Sequence, residues 1–329
     1  GVTEPVRKRL TGEAKFIRAF CYFYLVNLFG DVPLIISTDY RLNQYLGRSP
    51  VSSVYDQIKS DLQEASNDLP ETYTNNERTR PTRWAAKALL ARVYLYTGSW
   101  NNAESFASEV LGSTLYSLAS NPANSFLKNN SEAIWQLPPA LPSLNTWEGN
   151  YILPATATAA PTYILTSSLI SAGEANDLRF NSWFSSRTYQ SQTIFYPTKY
   201  KVRGDNAPVS EYYMVLRLAE QYLIRAEARA RQNKLPEAIT DINVIRSRAN
   251  LPSTTATTGE DILALIEKER RIEFAAEWGH RWFDLKRTNR ANAVIGALKP
   301  ANWQPTDVLW PIPIKQIQAN PNLTQNLGY

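Results

Sequence analysis

Cysteine, histidine and methionine each occur once in these 329 residues, and each scarcity removes a class of chemistry. The lone Cys21 rules out an intramolecular disulfide and a four-thiolate metal site. It falls in an apolar helical run, where a small buried hydrophobe is expected rather than a nucleophile. The lone His280 excludes a site with two imidazole ligands, and any Ser-His-Asp or Cys-His arrangement would have to use it. Long apolar runs are missing as well: none approaches the ~18 residues of a membrane span. The basic, polar stretch 1–9 is not followed by the apolar segment of a signal peptide. Charge of one sign is not in large excess either. Lys and Arg number 35 against 30 Asp and Glu, a formal +5, and the surplus is scattered rather than clustered as a nucleic-acid groove requires. No nucleic-acid partner is expected. Gly-rich phosphate loops, zinc-ligand spacings and nucleophile elbows are absent, so neither cofactor nor metal is expected.

What is present is a core and many rings. The 43% hydrophobic content is ample for a folded domain of this length, and 9 Trp, 18 Tyr and 11 Phe give an aromatic surplus. Trp and Tyr pair an apolar face with a polar edge, which suits a sugar ring, although the same residues pack ordinary cores.

Helical periodicity organises both ends of the chain. Residues 13–29 and 51–69 each place apolar side chains three or four apart and stop at Gly30 and Pro70. Trp84 to Thr97, closed by Gly98, and Trp100 to Leu111, closed by Gly112, form a helical hairpin. The plan returns in Met214 to Gln232 and Leu235 to Asn250. An offset of 135 residues superposes Ala91 on Ala226, Ala103 on Ala238, Val110 on Ile245 and Gly98 on Asn233. Paired helices with Ala where the two must approach closely are the pattern of tetratricopeptide-like repeats, which bury their apolar faces only by stacking. A third pair, within 13–69, matches by pattern alone. A further amphipathic helix spans Glu260 to Trp278.

Between the halves, 118–210 shows no sustained helical period beyond a short helix at Thr162 to Ile170, and Pro, Ser, Thr, Asn and Tyr dominate it. Loops of that length in a compact protein are usually functional. The expected organisation is a single domain, 1–329: a helical scaffold at 1–117 and 211–299, a loop-rich ligand-binding region at 118–210, and an extended tail at 300–329. The fold class is mainly α, a helical superhelix with tetratricopeptide-like pairs and one long irregular insertion.

Several segments, in order along the chain, resemble the SusD/RagB family of Bacteroidetes outer-membrane lipoproteins. They are Glu13 to Phe20 with Leu28 to Leu34, Ala85 to Gly98, Val215 to Glu220 with Tyr222 to Ala228, Asn243 to Arg246, Glu269 to Phe274 with Gly279 to Leu285, and Pro311 to Pro313 with Asn320-Pro321. The resemblance implies a glycan-binding face carried on variable loops and no catalysis. It also implies polysaccharide uptake beside a SusC-like TonB-dependent outer-membrane transporter, on which such a protein sits as a lid. A lipid-modified N-terminal Cys and a longer stretch ahead of the Glu13 helix are implied too. The sequence starts at Gly1 without them, so surface-facing lipid anchorage at the outer membrane is an expectation drawn from the family.

The ligand-binding residues expected from the loops are Trp147, Asn150, Tyr151, Trp183, Arg187, Tyr189 and Tyr196, with Tyr40 and Tyr45 from the earlier loop. Helical packing does not dictate their roles, and Asn145, Arg179, Asn181 and Gln190 lie among them as further hydroxyl partners. Glu269, Glu273 and Glu277 line one helix face at i, i+4 spacing, and a glycosidase needs two carboxylates opposed across a sugar. Because all three share one surface and alternate with Arg270 and Arg271, salt-bridged scaffolding is the better reading, with His280 a structural residue at the helix end. Peptide capture of the RagB kind, a glycoside hydrolase and a protein-binding tetratricopeptide adaptor are the alternatives to glycan binding.

Overall fold

A computed structural model describes residues 1–141, 144–204 and 208–329. The fold is mainly helical, and it divides into two compact units, Pro70–Arg281 and Gly1–Leu69 with Trp282–Tyr329.

In the smaller unit a long helix, Glu4–Phe29, packs on Val51–Asp68. Phe16, Ala19, Phe23 and Val26 meet Val54, Ile58, Leu62 and Ala65 in a buried seam, and a bidentate Arg18–Asp61 ion pair flanks it at 2.8 and 2.6 Å. The helix begins nine residues ahead of the expected Glu13. Cys21 lies on its exposed side, not in the core as expected, because the buried stripe passes through Ala19, Tyr22 and Phe23. The tail is not simply extended. It includes a short helix, Ile314–Ala319, and is tied down by Asn326, whose amide donates to the carbonyls of Phe29 and Trp310 at 2.9 and 2.7 Å.

In the larger unit the two expected hairpins are Arg83–Tyr96 with Trp100–Leu111, and Leu218–Arg231 with Leu235–Arg248. Trp100–Leu111 packs on Leu218–Arg231, so the pairs stack on one another. Ala85, Ala88, Ala91, Ala103, Ala226 and Ala238 are fully buried where the helices approach. The turns equate as the 135-residue offset predicts. Gly98 and Asn233 both have positive φ, 71° and 60°, and in each case the next N–H reaches back five residues, Ser99 to Tyr94 O and Lys234 to Arg229 O, each at 2.9 Å. One expectation is corrected here: 214–217 are not helical. Tyr213–Arg217 is a strand paired antiparallel with Ala133–Leu137, and the helix starts only at Leu218. The Gly259–Glu273 helix likewise ends before Trp278.

The region 118–210 holds more regular structure and more core than its composition indicates. Phe184–Tyr189 and Gln192–Pro197 form a hairpin whose two turn residues, Gln190 and Ser191, both have positive φ. Short helices lie at Trp147–Ile152, Ser167–Ile170 and Leu178–Trp183. Phe126, Ala133, Leu169, Trp183, Phe184 and Tyr200 close a hydrophobic cluster with Met214 and Ile272.

Beside that cluster runs a buried ionic network. Arg179 grips Asp177 in bidentate fashion and reaches Glu269 at 2.7 Å and Glu273 at 3.3 Å. Arg217 binds Glu273 at 2.6 Å and Glu277 at 2.9 Å, and Arg246 bridges Glu269 and Glu174 at 2.8 Å each. Lys199 joins Glu277, and Arg248 joins Glu273 and Glu132. Charges taken from water at this depth persist only when paired and hydrogen-bonded, so the network ties 174–199 to the Gly259–Glu273 helix and gives the irregular region a fixed base.

Candidate functional site

The site is built on the short helix Trp147–Ile152. Thr146 caps it, its hydroxyl accepting from the Gly149 N–H at 3.1 Å, and the Trp147 N–H donates to the Tyr213 hydroxyl at 2.8 Å. Gly149 lies flat against the chain at 202: a Cβ there would come closer to the Val202 carbonyl oxygen than side chains allow. This close approach brings Arg203 beside the helix. Asn145 fixes the same neighbourhood from below, its carbonyl oxygen accepting from the N–H groups of Ser210 and Glu211 at 2.9 and 3.0 Å.

Trp147 and Tyr151 are one turn apart, with ring centroids 5.6 Å apart and planes tilted by 49°. They are 50% and 60% exposed, which is high for rings of this size. With Asn150, Leu153, Pro154, Ala159, Thr162 and Arg203 they line a cavity of about 290 Å³. Its walls alternate apolar faces with amide, hydroxyl and guanidinium groups, the mixture that holds and orients a small polar ligand. Two guanidiniums hold the loop that forms the far wall. Arg203 donates to the Leu153 carbonyl at 3.0 Å, and Arg187 donates to the carbonyls of Thr156, at 3.2 Å, and Ala159.

The expected site residues separate into distinct groups. Trp147, Asn150 and Tyr151 share this cavity. Arg187 stands behind it as a loop anchor, 5.8 Å over the ring of Tyr196. Trp183 is fully buried, its indole N–H donating to the Pro122 carbonyl at 2.7 Å, and cannot offer a face to a ligand; the hydrophobic cluster beneath the loops claims it. Tyr196 is also corrected, being buried beneath Arg187. Tyr189 is half-buried at the hairpin end and does not line the cavity. Tyr40 and Tyr45 are exposed in the smaller unit. Asn145 and Arg179, placed among the hydroxyl partners by sequence, are buried structural groups, whereas Asn181 and Gln190 are exposed. Arg203 was missed: it stands apart from the aromatic loops, and only the Gly149–Val202 contact brings it in.

The carboxylates considered for catalysis lie in the ionic network. Glu269 and Glu273 are fully buried. Burial alone would raise the Glu273 carboxyl, but the guanidiniums of Arg248, Arg217 and Arg179 outweigh it and hold it well below the usual carboxylate range. His280 stacks on Phe274 at 4.6 Å, and burial together with Arg92, Arg270 and Arg217 pushes its imidazole well below the ordinary value, so it is neutral at pH 7.

Two family models match the chain: the SusD family over residues 181–329, and a SusD-like family described as starch-binding and associating with the outer membrane over residues 2–95. Over these two stretches the chain is similar to SusD-family proteins. It is similar to SusD-like protein P25 of Formosa agariphila, at 26% identity over all of this chain and 75% of that protein. It is also similar to the starch-binding protein SusD of Bacteroides thetaiotaomicron, at 28% identity over all of this chain and 74% of that one. Among solved structures, a laminarin-binding SusD-like protein superposes with a TM-score of 0.82 at 27% identity, covering all of this chain and 80% of the other. The family is one of starch- and glycan-binding proteins, and the mainly helical architecture is that of its solved members.

Proposed function

We propose that this SusD-like protein captures oligosaccharide or polysaccharide at the outer-membrane surface, without cleaving it, and passes it to a SusC-like TonB-dependent transporter. The observation that carries the reading is the exposed Trp147–Tyr151 pair set in a polar-rimmed cavity on a rigid base. Sugar rings pack their apolar C–H faces on such rings, and their hydroxyls then need oriented partners, which Asn150, Thr162 and Arg203 supply. The names of the relatives, one binding starch and one laminarin, favour glycan over peptide. The non-catalytic reading is supported by the placement of Glu269, Glu273 and Glu277, which are committed to Arg and Lys rather than opposed across the cavity. Lipid anchorage and the transporter partnership follow from the family reading.

Affinity electrophoresis against a panel of neutral and acidic polysaccharides tests the proposal. At least one glycan retards the wild type, Trp147→Ala with Tyr151→Ala restores mobility, and no reducing ends are released. If no polysaccharide retards the protein while oligopeptides raise its melting temperature, peptide capture replaces it.

A further inference from the structure

Many arginines of the larger unit meet acids. Arg92 pairs with Glu220, Arg179 with Asp177, Arg217 with Glu273, Arg225 with Asp241, and Arg229 with Glu104. The two guanidiniums at the Trp147 cavity instead bind backbone carbonyls, as Arg78 does at Leu115 and Ala133. Arg203 donates to the carbonyl of Leu153, and Arg187 to those of Thr156 and Ala159, and neither meets a carboxylate among the described residues. Carbonyl contacts fix where a guanidinium points without cancelling its charge. Glu148, next to Trp147, is not part of the lining, and burial raises its carboxyl; Asp205, two residues from Arg203, lies outside the described residues. Among the described residues that line the cavity, Arg203 is the one charged group, beside the aromatic pair. Arg203 is exposed, and among the described residues it donates only to the Leu153 carbonyl, which leaves donors of its fork available to a ligand.

We infer that this cavity takes a glycan bearing an anionic group, a uronate carboxylate or a sulfate ester, with Arg203 as the receptor and Trp147 and Tyr151 packing the sugar ring. This rests on the glycan reading and narrows it. The planar fork of an arginine matches either oxyanion with two parallel hydrogen bonds, and such charge-assisted bonds are stronger than those a neutral hydroxyl makes. Arg187 is a positioning residue that holds the loop 156–159.

Isothermal titration with four oligosaccharides of equal length decides the matter: tetragalacturonate, an ι-carrageenan tetrasaccharide, maltotetraose and laminaritetraose, each against wild type, Arg203→Gln and Trp147→Ala. The expected result is that one anionic sugar binds at least about tenfold more tightly than either neutral one. That advantage shrinks with added salt, disappears in Arg203→Gln, and is accompanied by weaker binding in Trp147→Ala. Whichever anionic sugar binds separates carboxylate from sulfate recognition. Neutral sugars binding as tightly as anionic ones, or an Arg203→Gln variant with undiminished anionic affinity, overturns the charge assignment and leaves glycan capture standing. Silence from all four also overturns it, and glycan capture is then judged by the polysaccharide panel alone. Unchanged melting temperatures in both variants, expected for surface substitutions, show that the fold is intact.

Discussion

Trp147 and Trp183 lie in the same irregular region, yet one is half exposed in the lining of a cavity and the other is fully buried in a hydrophobic cluster with its indole N–H on the Pro122 carbonyl. Trp183→Ala removes a core side chain and is expected to cost about 3–5 kcal/mol. Trp147→Ala is expected to change stability by less than about 0.5 kcal/mol. Urea unfolding of the two variants measures the contrast.

Gly149 permits the contact that puts Arg203 beside the aromatic pair. Gly149→Ala forces the helix away from Val202, at an expected cost of about 1–3 kcal/mol. It also weakens ligand binding although the residue carries no side chain to contact a sugar. Equilibrium unfolding and titration on the same sample check both parts.

Glu273 is shared by Arg179, Arg217 and Arg248. Glu273→Gln leaves three buried guanidiniums short of an acid and is expected to destabilise by about 3–5 kcal/mol. Removal of the whole cluster is a different experiment, because paired apolar replacements relieve the desolvation that a single change exposes. Denaturant midpoints report the first effect.

Acid sensitivity follows from the same residues. The Arg246 hydrogen bond, with Lys268 assisting, lowers the Glu174 carboxyl to about 2, and Glu273 is held low by its three arginines. Both folded-state values lie below the unfolded ones. Their stabilisation is therefore complete above the ordinary carboxylate range near 4.5 and is lost as pH falls from there through about 2. Melting temperatures measured from pH 6 to pH 2.5 should fall through this window, and Glu174→Gln should flatten the lower part of the decline.

The stacked hairpins could be read from the chain because their cause is local. Gly98 and Asn233 end helices by positive φ, and the alanines at matching positions permit close approach; both leave marks at fixed spacing. The loop region was legible only as a region. Trp183 and Trp147 have the same kind of sequence neighbourhood, and what separates them is the cluster of Phe126, Tyr200 and Met214, drawn from distant parts of the chain. The carboxylates of the Gly259–Glu273 helix were recognisable as salt-bridged, but their arginine partners at 179, 217 and 248 come from three other segments, so the depth of the network could not be inferred from helical spacing. Arg203 reached the site through a backbone contact that no periodicity records.

The most direct test is a crystal structure with the oligosaccharide that binds most tightly in titration. The account predicts a sugar ring packed on Trp147 and Tyr151, with its polar groups within hydrogen-bonding distance of Asn150 and Arg203. A sugar bound elsewhere, with the Trp147 ring facing solvent, would contradict it.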